Sequence, residues 1–212
     1  MLIVRRMNKK QVDKSHYEFS RYMDKARWSS IWHQVDEVAK LKPTTALEIG
    51  PGAGIFKNAC AAFDIKVETI DLDPDLGPDH VGSATDLPFE DGTYDVVCAF
   101  QVLEHLPYAD SLMAFSEMAR VARRNVVISL PDARKIWWYR LHIPKFGERL
   151  FSIPRPFSRP VVHEFDGEHF WEINKIDFPL LKVVDDFSEY MPLLKTYRVA
   201  NNPYHRFFVF GV

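Results

Sequence analysis

Short β-prone segments recur down this chain with helix-like stretches between them: TALEI (45–49), KVETI (66–70), YDVVCAF (94–100) and NVVISL (125–130). Strands that are apolar throughout have no solvent face. Alternated with helices, they predict a parallel sheet covered on both sides rather than a sandwich or a bundle. The intervening segments fit. GIFKNACAAF (54–63) has the small residues of a helix packed close to a sheet, and ADSLMAFSEMARVA (109–122) is amphipathic at helical spacing. DLDPDLGPD (71–79) is turn chemistry throughout. At the C-terminus, KTYRVA (195–200) and YHRFFVFGV (204–212) flank NNPY and predict an antiparallel hairpin.

A chain of 212 residues, 47% hydrophobic, supplies one ordinary core and not two, so residues 1–212 are expected to form a single domain. Residues 12–41 carry bulky groups at helical spacing and Pro43 ends them, which makes 1–42 an N-terminal helical cap. The α/β pattern breaks after Pro131. Residues 132–170 mix aromatic, basic and proline residues without a sustained period and are expected to be an insertion or lid. A short helical stretch is expected near Trp171. The formal net charge of −2 gives no global basic field for nucleic acid or anionic lipid. The N-terminal decapeptide has no signal-peptide core and no apolar run reaches the length of a membrane span, so a cytoplasmic protein is the expectation. Cys60 and Cys98 stand in separate apolar runs and are expected as reduced, buried thiols.

LEIGPGAGIF (47–56) is the segment with chemistry in it. Its glycines, Gly50, Gly52 and Gly54, are spaced G-x-G-x-G. The dinucleotide fingerprint G-x-G-x-x-G would need a third glycine where Ile55 stands. Glu48, two residues before the first glycine, would repel a pyrophosphate and suits a ligand whose nearby end is an ammonium group. Asp71 lies 21 residues beyond Gly50, where a carboxylate can accept both hydroxyls of an unphosphorylated ribose. Asp73 is a second candidate, one of the two acids being expected as a cap before Pro74. Together these favour a nucleoside with an amino-acid tail over a nicotinamide or flavin dinucleotide.

With these motifs on the page, the sequence resembles the class I S-adenosylmethionine-dependent methyltransferases, in particular the small single-domain, type 11-like subgroup. ALEIGPGAGIF resembles the first motif and VETIDLDP the second. GSATDLPFEDGTYDVVCAFQVLEHL resembles the adenine loop, fourth strand and following turn, and EMARVARRNVVISLP the next helix and strand. The likeness is close over 44–131 and loose over the terminal hairpin. It implies a three-layer α/β fold with a seven-stranded, mostly parallel Rossmann-like sheet whose last strand is antiparallel. It also implies S-adenosylmethionine as cofactor, S-adenosylhomocysteine as product, and methyl transfer by in-line displacement.

The resemblance assigns the cofactor's methionyl part to Gly50, Gly52 and Gly54, with Glu48 orienting the turn or meeting the ammonium through water. It gives the ribose to Asp71, the adenine face to Leu72, and the adenine loop to Ser83, Ala84 and Asp86. Many relatives carry Asp where Ser83 stands, so Asp86 is a candidate to take its role. Gln101 falls at the end of the fourth strand, near the switch point of the sheet. Glu104 and His105 have two open readings, cofactor-side structure or acid/base chemistry. His105 and His169 are the catalytic candidates.

The acceptor must be met by what is not core. Tyr17, Tyr22 and Arg27 on the N-terminal segment, and Trp137, Arg140, His169 and Trp171 on the insertion and its return, are the candidates. A small molecule is the expected acceptor. The turn FQVLEH lacks the Asn/Asp-Pro-Pro-aromatic form associated with base-amine methylation, so DNA is not expected. Segment 132–170 is also readable as a membrane-surface contact or a homodimer surface. No His/Cys spacing suggests a metal, and none is expected. Two other functions stay in view: a cofactor-binding partner subunit without catalysis and, on a different cofactor, a nicotinamide-dependent oxidoreductase.

Overall fold

The computed structural model describes residues 18–212. Its centre is a seven-stranded sheet built from β1 (Ala46–Ile49), β2 (Val67–Asp71), β3 (His80–Val81), β4 (Tyr94–Phe100), β5 (Ala122–Pro131), β8 (Leu193–Val199) and β9 (Asn202–Gly211). The spatial order is β3-β2-β1-β4-β5-β9-β8. The first five strands are parallel to one another, and β9 runs antiparallel to both β5 and β8. All seven residues of β4 are buried, as a central strand covered on both faces requires. The two-residue β3 had no pattern long enough to be read from the sequence.

Helices cover both faces. On one, α2 (Lys25–Leu41) and α3 (Ile55–Ala61) bring Val38, Phe56 and Cys60 against Val96, Cys98 and Phe207. On the other, α4 (Tyr108–Val121) buries Ser111, Ala114, Phe115, Met118 and Val121, the three- and four-residue spacing of one helix face. There α5 (Leu180–Ser188) adds Val183 and Phe187. A one-turn α1 (Phe19–Tyr22) precedes α2, and the Asp24 carboxylate accepts the Arg27 N–H at 2.7 Å to cap α2. Within the segment expected as a cap, residues 19–22 and 25–41 are thus helical. Cys60 and Cys98 are free and buried.

Two local expectations need correction. Residues 136–154 are not aperiodic coil but an antiparallel hairpin, β6 (Ile136–Ile143) paired with β7 (Gly147–Pro154) in a sheet of its own. Both faces of β6 are largely open to solvent, so no inside/outside alternation was written into its sequence. The helix expected near Trp171 begins only at Leu180, and 171–179 is a run of turns with isolated bridges. Among the described residues, no helix is long and apolar enough to cross a membrane.

The exit from the sheet into the insertion is pinned by Asp132. Its buried carboxylate accepts Arg206 Nε at 2.8 Å, Asn174 Nδ2 at 2.8 Å and the Arg134 N–H at 3.0 Å, and lies 3.0 Å from Arg198 Nη2. β8, β9, the start of the insertion and the return segment at Asn174 are thus tied to one group.

Candidate functional site

The strand order reverses between β1 and β4, and the glycine turn leaves β1 at that point. Crevices outside the carboxyl ends of such strands are where open α/β sheets hold ligands. Gly50, Gly52 and Gly54 all have left-handed backbones, with φ of 67°, 52° and 69°. The Gly50 N–H donates to the Ile70 carbonyl at 3.0 Å, and a Cβ on Gly50 would stand 2.7 Å from Val102 Cγ2. Glycine is thus required there twice, by torsion and by the close approach of the chain after β4. A Cβ on Gly54 would meet nothing nearer than Asn58 Nδ2 at 3.8 Å, so the space beside the turn is open there.

Glu48 is buried within β1, and its Oε2 has no hydrogen-bond partner. Burial pushes its carboxyl well above the usual range, and the Lys57 charge opposes this only in part. Asp71 ends β2, half-buried, its Oδ1 accepting the Asp73 N–H at 2.8 Å. Burial raises its pKa while that backbone hydrogen bond lowers it. Asp73 takes the capping role, its carboxylate accepting the Asp75 N–H at 3.0 Å over the short 3-10 turn that follows. Leu72, between them, leaves an apolar side chain 42% exposed.

In the next loop Ser83 Oγ sits 2.9 Å from Thr85 Oγ1 and accepts the Thr85 N–H, so the hydroxyl closes its own turn. Ala84 is half-buried against the core, and Asp86 is exposed. Gln101 has φ of 57°, unusual for a residue with a side chain, and its Nε2 donates to Ser129 Oγ at 3.3 Å. A strained residue at the switch point is the kind of local cost that sites retain.

The fold brings together a second constellation beyond Gln101. Glu104 is fully buried in a 3-10 turn, and neither carboxylate oxygen has a hydrogen-bond partner. Burial pushes it up to about 8. The His105 ring lies 5.0 Å, centroid to centroid, from the His169 ring. His105 Nδ1 donates to the Glu168 carbonyl at 3.0 Å, and burial lowers its pKa. His169 Nδ1 lies 3.1 Å from Glu172 Oε1. Burial pulls His169 down, but Glu172 and the nearby Glu104 and Asp166 outweigh it and raise it. Glu172 also accepts from the Tyr204 hydroxyl. Against the upward push of burial, these two partners and Lys175 bring Glu172 down to about 2.

The proposed acceptor residues are scattered. Tyr17 lies outside the described residues. Arg27 stacks on the Tyr22 ring at 4.1 Å, and the charges of Arg27 and His169 both bear on the buried His205, which burial brings down to about 4. Trp137 and Arg140 stand exposed on β6, Arg140 donating to Asn201 at 2.8 Å. Trp171 is not at the surface of any cleft. It is wholly buried, with Nε1 donating to Ser111 Oγ at 2.9 Å, and is a core residue. It stands in a run, Asp166-x-x-His169-x-x-Glu172, whose spacing is visible in the sequence but whose partners Glu104 and Tyr204 come from distant segments.

Comparison with known proteins agrees with this architecture. Residues 47–130 match the family described as a methyltransferase domain. An uncharacterized methyltransferase of Mycobacterium sp. (strain KMS) is 36% identical over 116 residues, covering 49% of this chain and 41% of that protein. The chain thus spans about two fifths of the length of that relative. A solved protein of Pyrococcus horikoshii OT3 superposes with a TM-score of 0.60 at 16% identity, covering 94% of this chain and 99% of its own. So does the 1,6-didemethyltoxoflavin-N1-methyltransferase of Burkholderia thailandensis, solved with 1,6-didemethyltoxoflavin and S-adenosylhomocysteine, at 0.59 and 13%, covering 93% and 84%. At these identities the two structures speak for the fold alone. The glycine turn, the strand order and the match over 47–130 together make this part of the chain similar to methyltransferase domains.

Proposed function

We propose that this chain transfers the methyl group of S-adenosylmethionine to a small-molecule acceptor and releases S-adenosylhomocysteine. One observation carries the reading: the left-handed glycine turn after β1 and the Asp71 carboxylate ending β2 stand side by side at the carboxyl edge of the sheet. The residues fit the cofactor. The orphan oxygen of Glu48 is a buried acceptor for the ammonium end, directly or through water, and Gly54 leaves room beside the turn. Asp71 accepts the ribose hydroxyls, exposed Leu72 covers one adenine face, and the Ser83–Ala84 backbone borders the other.

S-Adenosylmethionine supplies a sulfonium-activated methyl group, transferred as an acceptor lone pair displaces the thioether. The protein's contribution is chiefly positioning, which supplies on the order of 7–11 kcal/mol in well-oriented systems. Where the acceptor is protonated, His105 and His169 are the groups placed to take the proton. Tyr22 and Arg27 border the acceptor from the N-terminal side. The β6–β7 hairpin, with Trp137 and Arg140, leaves the carboxyl end of β5 and covers it from the other.

The test is incubation of the full chain with methyl-labelled S-adenosylmethionine and fractionated small-molecule extracts. Label is expected in a low-mass product with matching release of S-adenosylhomocysteine. Cofactor binding without transfer to any fraction would support the partner-subunit reading instead.

A further inference from the structure

Glu104 is hard to explain as part of a methyl-transfer scaffold alone. A fully buried carboxyl with neither oxygen hydrogen-bonded forfeits roughly 1–3 kcal/mol of desolvation per unsatisfied group, and native folds rarely leave one so. Its surroundings are donors of a particular kind. One carboxylate oxygen of Glu104 and one nitrogen from each of His105 and His169 lie within 4.8 Å of one another.

Each imidazole is also held from behind. His105 Nδ1 donates to the Glu168 carbonyl, and His169 Nδ1 pairs with the Glu172 carboxylate, itself fixed by Tyr204 and Lys175. In those tautomers the ring lone pair sits on Nε2. Metal-binding histidines show this pattern, the far nitrogen given to a carbonyl or carboxylate that sets tautomer and orientation. Asp166 and Glu172 form a second grouping with His169, but both carboxylates already accept other hydrogen bonds: Asp166 from the Glu168 and His169 N–H groups, Glu172 from Tyr204.

We infer that Glu104, His105 and His169 form a binding site for one divalent first-row transition cation, with Glu172 orienting His169. Two imidazoles and one carboxylate suit zinc, iron(II), cobalt(II) or manganese(II). Zinc donors at about 2.0–2.2 Å from the metal stand roughly 3.4 Å apart in a tetrahedral site, so binding would draw together these three donor atoms, which lie within 4.8 Å of one another. Three protein ligands leave coordination positions open, at the carboxyl edge of the sheet where β5 gives way to the insertion. The site does not depend on the function proposed above. Its use rests on that function: with the cation bound, the two imidazoles are ligands instead of bases, and an acceptor oxygen bound there would lose its proton to solvent more readily and be held for attack on the methyl carbon.

The experiment is cobalt(II) titration of the chelator-treated, desalted full chain, followed by visible absorption, with zinc competition by calorimetry. One cobalt per chain with a ligand-field spectrum, displaced by one zinc, is expected. Glu104→Gln and His169→Ala should abolish stoichiometric binding, and Glu172→Gln should weaken it about 10- to 100-fold. No saturable 1:1 uptake by the wild-type chain would overturn the inference. So would equal affinity in Glu104→Gln and His169→Ala variants whose circular dichroism is unchanged. S-Adenosylhomocysteine is titrated in parallel without metal. Its binding alone refutes only the cation site, and cation binding alone refutes only the methyltransferase reading.

Discussion

Replacing Gly50 by Ala tests how the cofactor turn is built. Two costs are separable. At φ of 67° an L-residue carries about 1–2 kcal/mol of left-handed strain. The added Cβ would stand 2.7 Å from Val102 Cγ2 and 3.3 Å from Cγ1, and a valine, stiff at χ1, yields poorly. Overpacking of this kind typically costs about 1–3 kcal/mol, so Gly50→Ala should lose ~2–5 kcal/mol in total. Val102→Ala removes the contact but not the torsional strain. In a double-mutant cycle read by urea unfolding, the pair should therefore show a coupling of about 1–3 kcal/mol in the direction of rescue. Affinity for S-adenosylhomocysteine should fall in Gly50→Ala and return in part with Val102→Ala. Strict additivity, or a single variant as stable as wild type, would refute the close-approach argument.

Three further outcomes are expected. Asp132→Asn should cost about 3–5 kcal/mol by urea unfolding, with little salt dependence, because it removes the buried charge that the partly buried guanidiniums of Arg198 and Arg206 both pair with; a loss under 1 kcal/mol would show that the network is not what pins the insertion. The Thr44 N–H, with the Thr45 N–H and Arg124 and Arg123, outweighs burial and holds Asp95 below the usual carboxylate range. Its stabilisation is present above the unfolded pKa of about 3.9 and is lost as pH falls through the lower folded value. Asp95→Asn should then be less stable at neutral pH and show a shallower loss below about pH 4, and parallel curves would contradict this. Trp137→Ala with Arg140→Ala should impair turnover or acceptor affinity while leaving S-adenosylhomocysteine affinity unchanged, since both side chains are exposed on a hairpin outside the main sheet; a collapse of cofactor affinity would move the hairpin over the cofactor.

The parts legible in the sequence were those where a local pattern and the tertiary need coincide. YDVVCAF is buried at every position and was readable as a central strand without any partner in view. The glycine turn was readable because three left-handed positions in five residues admit little but glycine. Trp171 misled because aromatic residues bordering an insertion look alike whether they face a cleft or, as here, the core beside Ser111. The β6–β7 strands were illegible because strands exposed on both faces carry no alternation. The Glu104, His105 and His169 grouping could not be assembled from spacing, since two residues follow β4 and the third returns after the insertion.

The most direct test of the central claim is calorimetric titration of S-adenosylhomocysteine into the full chain, its Asp71→Ala variant and its Asp73→Ala variant. Saturable 1:1 binding to wild type is expected. Asp71→Ala should lose ~1–3 kcal/mol, roughly 5- to 150-fold in affinity, because two ribose hydroxyls lose their acceptor. Asp73→Ala, which removes a cap on the following turn, should lose less. No binding to wild type, or undiminished affinity in Asp71→Ala, would contradict the assignment of this crevice to the cofactor.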